Sequence, residues 1–184
     1  MKETFNPPYW YYKNIKFPEN EIDEVISELK TTNFNLFNKV DKGVISSYHV
    51  HSYNRPDNIW KKNYREIVEG ITKNIGVYNT CQYTYEFWSQ FYNKIAIHTP
   101  HSHFSGGTTS ISFVHFLRPT NDKCFNFLDN DGNDFPVTKE GKGDILCFPS
   151  YLWHRVINNS NEERFVVAGN IFLNYQEDDY VSTK

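Results

Sequence analysis

The spacing of hydrophobic positions changes once along this chain, near Gly76. Before it the period is helical. Ile22, Val25, Ile26 and Leu29 recur three and four apart, which predicts a helix opening at Pro18-Glu19-Asn20 and running to about Lys30. Acidic residues early in that segment suit the positive end of a helix. Ile59, Trp60, Tyr64, Ile67, Val68 and Ile71 predict a second helix from Pro56-Asp57 to about Asn74, with Gly76 as its stop. Residues Thr31 to Asn54 read as loop, with a short strand at Gly43 to His49. Pro7-Pro8 breaks the opening segment, and Tyr9-Trp10-Tyr11-Tyr12 is expected to pack along an edge.

After Gly76 the period becomes two. Gln82 to Ile97 alternates aromatic and polar residues, with Tyr83, Tyr85 and Phe87 on one parity. Further strands are expected at Thr109 to Leu117, Lys123 to Leu128, Phe135 to Thr138, Asp144 to Phe148, His154 to Ile157 and Arg164 to Leu173. The breaks between them carry turn residues: Ser105-Gly106-Gly107, Asn130-Asp131-Gly132, Gly141-Lys142-Gly143 and Asn158 to Asn161. Helices first and many short strands afterwards predict a mainly β protein. We expect a jelly-roll-like double sheet on a supporting helical layer. The division expected is one domain over 1–184, with helical support over 1–76, a jelly-roll core over 77–176 and a polar tail over 177–184.

Composition narrows the class. Aromatic residues make up 17% of the chain, which suits pleated surfaces better than a helical bundle. A net charge of −3 with no basic stripe does not indicate nucleic acid as a partner. Cys81, Cys124 and Cys147 are odd in number and lack CxxC spacing, so neither a disulfide framework nor a structural zinc site is expected. There is no secretory leader pattern and no apolar run of membrane-spanning length. These features predict a soluble, cytoplasmic protein, and oligomeric state is left open.

The candidate chemistry lies in His98-Thr-Pro-His101-Ser-His103, which holds three of the seven histidines within six residues. His101 and His103 are two apart, so in extended backbone both leave one face and can grip one metal ion. Imidazole suits iron, zinc, copper and nickel. His154, opening a later strand, is the best third ligand. Arg164 follows ten residues on. The turn at Asn158 to Asn161 is expected to fold the strand back and bring Arg164 near His154. A buried guanidinium beside an open metal site would clamp a carboxylate. Such a pair implies a small acid that chelates the metal and is held at its far end.

Four pieces in order, "PHSH" (Pro100 to His103), "SISFVHFLRP", "GDILCFPSYLWHRV" (Gly143 to Val156) and "ERFVVAGN" (Glu163 to Asn170), span under half of the chain. Together they resemble the 2-oxoglutarate and iron(II)-dependent dioxygenases, and within them a small prolyl-hydroxylase-like group of bacteria and phages. The resemblance implies a double-stranded β-helix (jelly roll, cupin-like). It implies iron held by the His101 region and His154, with the far carboxylate of 2-oxoglutarate on Arg164. Dioxygen is then the other co-substrate. The reaction implied is hydroxylation of a C–H bond in a peptide or small molecule, with 2-oxoglutarate decarboxylated to succinate. Asn170 and Tyr92 are further candidates for co-substrate contacts, and Trp88, Tyr92 and Trp153 for cavity walls. The superfamily's usual first motif is His-x-Asp or His-x-Glu. Here His103 stands at the acid's place, which removes one negative charge from the ligand set.

Plainer readings stand beside these. His115 sits mid-strand in an apolar run and reads as a core histidine. His49 and His51 repeat the His-x-His spacing without a third ligand. His98 is a fallback ligand, although its spacing to His101 is wrong for one strand face. Arg164 taken alone reads as a surface residue paired with Glu162. Ser150 precedes His154 without a nucleophile elbow, and Asn130 to Asp134 reads as a hairpin turn rather than a calcium loop. Two alternatives to the oxygenase remain: a cupin-like three-histidine metalloenzyme without 2-oxoglutarate, and a non-catalytic jelly-roll binding module.

Overall fold

One strand of 21 residues, β3 (Cys81–His101), organises the sheet. The computed structural model describes residues 5–31, 41–48, 50–77, 81–104 and 109–175. The other strands in them are β1 (Trp10–Tyr11), β2 (Lys42–Ser46), β4 (Thr109–Arg118), β5 (Phe125–Leu128), β6 (Asp134–Pro136), β7 (Ile145–Pro149), β8 (His154–Asn158) and β9 (Arg164–Tyr175). They form one curled sheet in the order β1-β7-β4-β9-β3-β8-β5-β6, with β2 also on β3. Every pairing is antiparallel. The expected strands all form within a few residues of their predicted bounds. Trp10–Tyr11, expected only to pack an edge, hydrogen-bonds to β7 as a short strand. His49 and the Ser105-Gly106-Gly107 break lie outside the described residues, as does the 177–184 tail.

The link between β8 and β9 differs from expectation. β2 occupies one edge of β3, pairing with Gln90, Tyr92 and Ile97. β9 pairs with β3 from Cys81 to Tyr92, and β8 pairs with it from Ala96 to His101. Both must therefore lie on the edge opposite β2, and both run antiparallel to β3. The turn after Asn158 does not fold the strand back. It is an excursion between two strands that continue in the same direction. Asn158 closes it, its side chain donating to Asn93 O at 2.7 Å and to Glu162 O at 2.9 Å.

Side-chain parity splits the sheet into two apolar layers. Odd positions Phe165, Val167 and Ile171 of β9, with Phe87 and Phe91 of β3 and Phe113 of β4, pack under two helices. These are α1 (Glu19–Thr31), through Ile22, Val25 and Leu29, and α2 (Lys61–Asn74), through Tyr64, Ile67 and Ile71. Each ring removed from water here contributes about 1.5–3 kcal/mol. Even positions Val166, Val114, Phe116 and Tyr92 face a second cluster inside the curl, with Phe125, Phe127 and Phe148. Gly169 is required between the layers. A Cβ there would stand 2.3 Å from the Phe113 ring and 2.6 Å from Glu86 O.

The second helix begins as a tighter turn, Pro56–Trp60, before turning α-helical at Lys61. Three-residue periodicity puts Asp57 and Trp60 on one side, and both are buried. Asp57 Oδ2 accepts from Ser47 Oγ, Ser89 Oγ and Ser89 N at 2.6–2.7 Å, which ties this turn to β2 and β3. The helix ends as predicted at Gly76, whose φ is 77°. Gly76 N donates to Lys73 O and Val77 N to Thr72 O, the paired bonds of a Schellman stop.

His115 is a core histidine. It is fully buried on the helical side of β4. Its Nε2 donates to Ile15 O at 2.8 Å, so its Nδ1 accepts from the Tyr64 hydroxyl at 2.9 Å. Burial pushes its pKa down to about 4. Between the unfolded value near 6.5 and this folded value, only the unfolded chain takes up the proton, so stability falls as pH drops. About 3 kcal/mol is lost through this residue by pH 4, and urea titrations across pH 4–7 should show the loss flattened in a His115→Gln variant. Tyr64→Phe orphans the His115 Nδ1 and should cost about 1–3 kcal/mol by the same measurement at pH 7.

Candidate metal centre and carboxylate pocket

His101 is the last residue of β3, and its partner across the strand pair is His154, the first residue of β8. His103 lies beyond the strand end, where its backbone N–H donates to Ser150 O at 3.0 Å. The three rings converge: centroids are 4.3 Å apart for His101 and His154, and 5.1 Å for each of the other two pairs. One ring nitrogen from each lies within 4.8 Å of the others. His154 is wedged between Phe125, stacked at 5.2 Å, and Phe148, edge-on at 5.0 Å.

Hydrogen bonds decide which nitrogen of each ring is free. His101 Nδ1 lies 2.8 Å from Thr99 O, His154 Nδ1 3.0 Å from Leu152 O, and His103 Nδ1 2.7 Å from Asn170 Oδ1. All three partners are carbonyl oxygens, so Nδ1 carries the proton and Nε2 keeps its lone pair. Burial disfavours a second proton. It pushes His103 down to about 4, lowers His101, and holds His154 well below the ordinary value. Three neutral imidazoles with available Nε2 atoms form a group that could hold a metal ion, and their polar supports suit one.

His98 also lines the pocket, stacked on His101 at 4.2 Å. The pairing with β8 slips between His98 and His101, which puts both on one face despite a spacing that is wrong for regular strand. Its nitrogens have other partners: the Tyr92 hydroxyl lies 3.1 Å from Nδ1, and Asp41 Oδ2 lies 3.4 Å from Nε2. Burial and then the neighbouring His101 push its pKa down to about 3.

The pocket beside the histidines measures about 310 Å³ including its open mouth, and Arg164 lines it with them. Arg164 is wholly buried, unlike the surface residue its type suggests. Its Nη2 pairs with Glu140 Oε2 at 3.2 Å, and Glu140 Oε1 is held by the N–H groups of Cys124 and Phe125. Glu162 binds Asn121 instead. Nε and Nη1 of Arg164 have no hydrogen-bond partner among the described residues. Tyr92 and Phe116 sandwich the guanidinium at 5.0 and 5.4 Å. A cation that cannot lose its proton, buried with two donors open, is suited to an anionic oxygen pair. Val114, Val156, Val166 and Ala168 give the space between arginine and histidines an apolar wall.

The other expected residues are placed as follows. Tyr92 is buried in the pocket wall, its hydroxyl 3.0 Å from Gln90 Oε1. Asn170 has its side chain engaged behind His103, with Ser112 and Glu86. Trp88, also expected as a cavity wall, packs its ring 5.6 Å from that of His103 and is not among the residues lining the pocket. Trp153 is 55% exposed and is not among the residues lining the pocket, contrary to its expected role as a cavity wall, because it precedes the inward-facing His154 by one position. Asn130 to Asp134 forms the β5–β6 hairpin turn, as expected. All three cysteines are buried and free. Glu140, Glu86 and Asp41 were not singled out from the sequence. Lys139-Glu140-Gly141 reads as an exposed polar break. Glu86 carried a signal, since it shares strand parity with Trp88 and Tyr92.

No family model and no curated protein matches the sequence. Solved structures match its fold. A Pseudomonas putida prolyl-4-hydroxylase superposes with a TM-score of 0.58 at 14% identity, over 91% of this chain and 93% of that one. The viral collagen prolyl hydroxylase of Paramecium Bursaria Chlorella virus-1, in its 2-oxoglutarate complex, gives 0.57 at 12% identity, over 89% and 94%. The fold is a double-stranded β-helix, similar to that of these hydroxylases. A Trichoplax adhaerens prolyl hydroxylase, in complex with a hypoxia inducible factor peptide fragment, gives 0.59 at 11% identity, over 89% and 83%. At these identities the likeness is one of fold. Within this double-stranded β-helix, no helix among the described residues is long and apolar enough to cross a membrane.

The buried ion pair sets a stability prediction. Removing Glu140 leaves the Arg164 charge uncompensated in a dry interior. Glu140→Ala should destabilise the protein by about 3–5 kcal/mol in urea unfolding at pH 7.

Proposed function

We propose that this protein is an iron(II)- and 2-oxoglutarate-dependent oxygenase. In this reading it hydroxylates a C–H bond of a peptide or small molecule while 2-oxoglutarate is decarboxylated to succinate. The observation that carries it is the buried Arg164, with two open donors, in the same pocket as three neutral imidazoles. A metal site alone does not need a buried, half-satisfied guanidinium. A dicarboxylic acid that chelates at one end and is clamped at the other needs both.

In this reading His101, His103 and His154 hold the iron. Iron(II) supplies, when bound, the oxidising chemistry with dioxygen that no side chain offers. The chain's own contribution is positioning. The donors of Arg164 that Glu140 leaves open take the far carboxylate, with Glu140 holding the guanidinium through Nη2. The Tyr92 ring packs 5.0 Å from the guanidinium carbon. Val114, Val156, Val166 and Ala168 suit the two methylenes of 2-oxoglutarate and exclude water from them. Phe125 and Phe148 fix the His154 ring between them. The peptide in the Trichoplax structure is consistent with a peptide substrate.

The all-histidine group favours one rival, a three-histidine metalloenzyme of cupin type without 2-oxoglutarate. Arg164 separates the two. Under anaerobic conditions, iron(II) and 2-oxoglutarate together should produce a weak visible charge-transfer band that neither gives alone. Arg164→Met should weaken 2-oxoglutarate by about 100-fold, the loss of two charge-assisted hydrogen bonds, while iron affinity changes little. Unchanged 2-oxoglutarate affinity in that variant would favour the cupin reading, and His154→Ala should lose the band altogether.

A further inference from the structure

We propose that Asn170, oriented by Glu86, is the positioning residue that makes His103 a metal ligand at the place where a carboxylate is usual. The proposal rests on the metal-site reading above. His103 is the member of the group that the sheet does not place. It lies past the end of β3, with its backbone tied to Ser150 O. His101 and His154 direct their Nδ1 protons to backbone carbonyls, which have no other end to present. His103 depends on a side-chain amide, which has two.

That amide is a switch with a physical lock. With its oxygen toward His103, the ring must carry its proton on Nδ1, and Nε2 faces the group with a lone pair. With its NH2 toward His103, Nδ1 must accept, Nε2 carries the proton, and the ring cannot ligate. Glu86 selects the first arrangement, while the Ser112 hydroxyl, which can donate or accept, suits either. The Ser112 hydroxyl lies 2.9 Å from Asn170 Oδ1, and Glu86 Oε1 lies 2.9 Å from Asn170 Nδ2. Glu86 Oε1 accepts from the NH2 end, which turns the amide oxygen toward His103. The arrangement is built into the sheet. Glu86 of β3 and Ser112 of β4 are the registered cross-strand partners of Asn170 on its two sides. Asn170 is 5% exposed, so water offers little substitute.

The test is anaerobic cobalt(II) titration of the metal-stripped full chain, read as affinity and as the visible spectrum of the bound ion. Asn170→Leu should weaken binding by about 10–100-fold and give the spectrum of His103→Ala. Asn170→Asp combined with Glu86→Gln should bind within a few-fold of the parent, because the carboxylate accepts the Nδ1 proton from either oxygen and the glutamine amide supplies a donor to it. Glu86→Lys, which presents a donor where the amide needs an acceptor, should reproduce the leucine loss. Glu86→Lys with Asn170→Asp should recover it, since aspartate has no donor end to turn. Near-UV circular dichroism checks that each variant folds, and if the leucine variant does not, the two Glu86→Lys variants decide alone. Parent affinity and spectrum in Asn170→Leu, or in Glu86→Lys if the leucine variant does not fold, overturns the proposal. So does an equal loss in Asn170→Leu and in Asn170→Asp combined with Glu86→Gln, or no recovery in Glu86→Lys with Asn170→Asp. Parent affinity in His101→Ala instead overturns the metal site itself.

Discussion

The hydrogen-bonded edge that β3 offers first to β9 and then to β8 is the constraint on which the site depends. Along that edge Tyr92 is paired with Arg164 and His101 with His154. The distance between Arg164 and the histidine group is therefore set by backbone pairing. Between Tyr92 and Ala96 β3 passes from β9 to β8, and its pairing with β2 slips over the same stretch. A second slip between His98 and His101 then puts both histidines on the pocket side.

The same burial acts in opposite ways on the two halves of the pocket. An imidazole removed from water gives up its proton and becomes a neutral donor of lone pairs. A guanidinium cannot do so and remains a cation. Glu140 compensates part of that charge from behind, held by two backbone N–H groups. Nε and Nη1 stay without a partner among the described residues. The pocket thus brings neutral imidazoles and a guanidinium with open donors together, with aliphatic residues in the same lining.

Strand parity separates scaffold from site within the same few strands. On β9, Phe165, Val167 and Ile171 pack under the helices, while Arg164 and Asn170 face inward. On β4, His115 faces the helices and bonds Tyr64 and Ile15, while Ser112 supports Asn170. Histidines of similar burial thus have different uses, and what distinguishes them is the face on which each emerges. His115 has both nitrogens engaged by neutral partners. His101, His103 and His154 have one engaged and one open toward the group.

Period and turn residues in the sequence determined the two helices, the strands after Gly76 and the hairpin at Asn130 to Asp134, because these depend on neighbours a few positions apart. The histidine spacing and the arginine after His154 marked out the candidate pocket, since their chemistry is carried by residue type. Tertiary structure alone decided that β8 and β9 run on in one direction, because an excursion and a reversal carry the same Asn- and Ser-rich turn residues. It alone decided the protonation pattern of the rings, which depends on carbonyls and an amide brought up from other strands. Glu140 and Glu86 acquire their places only when chain segments 24 and 84 residues from their partners come together, and local pattern carries no record of such pairings.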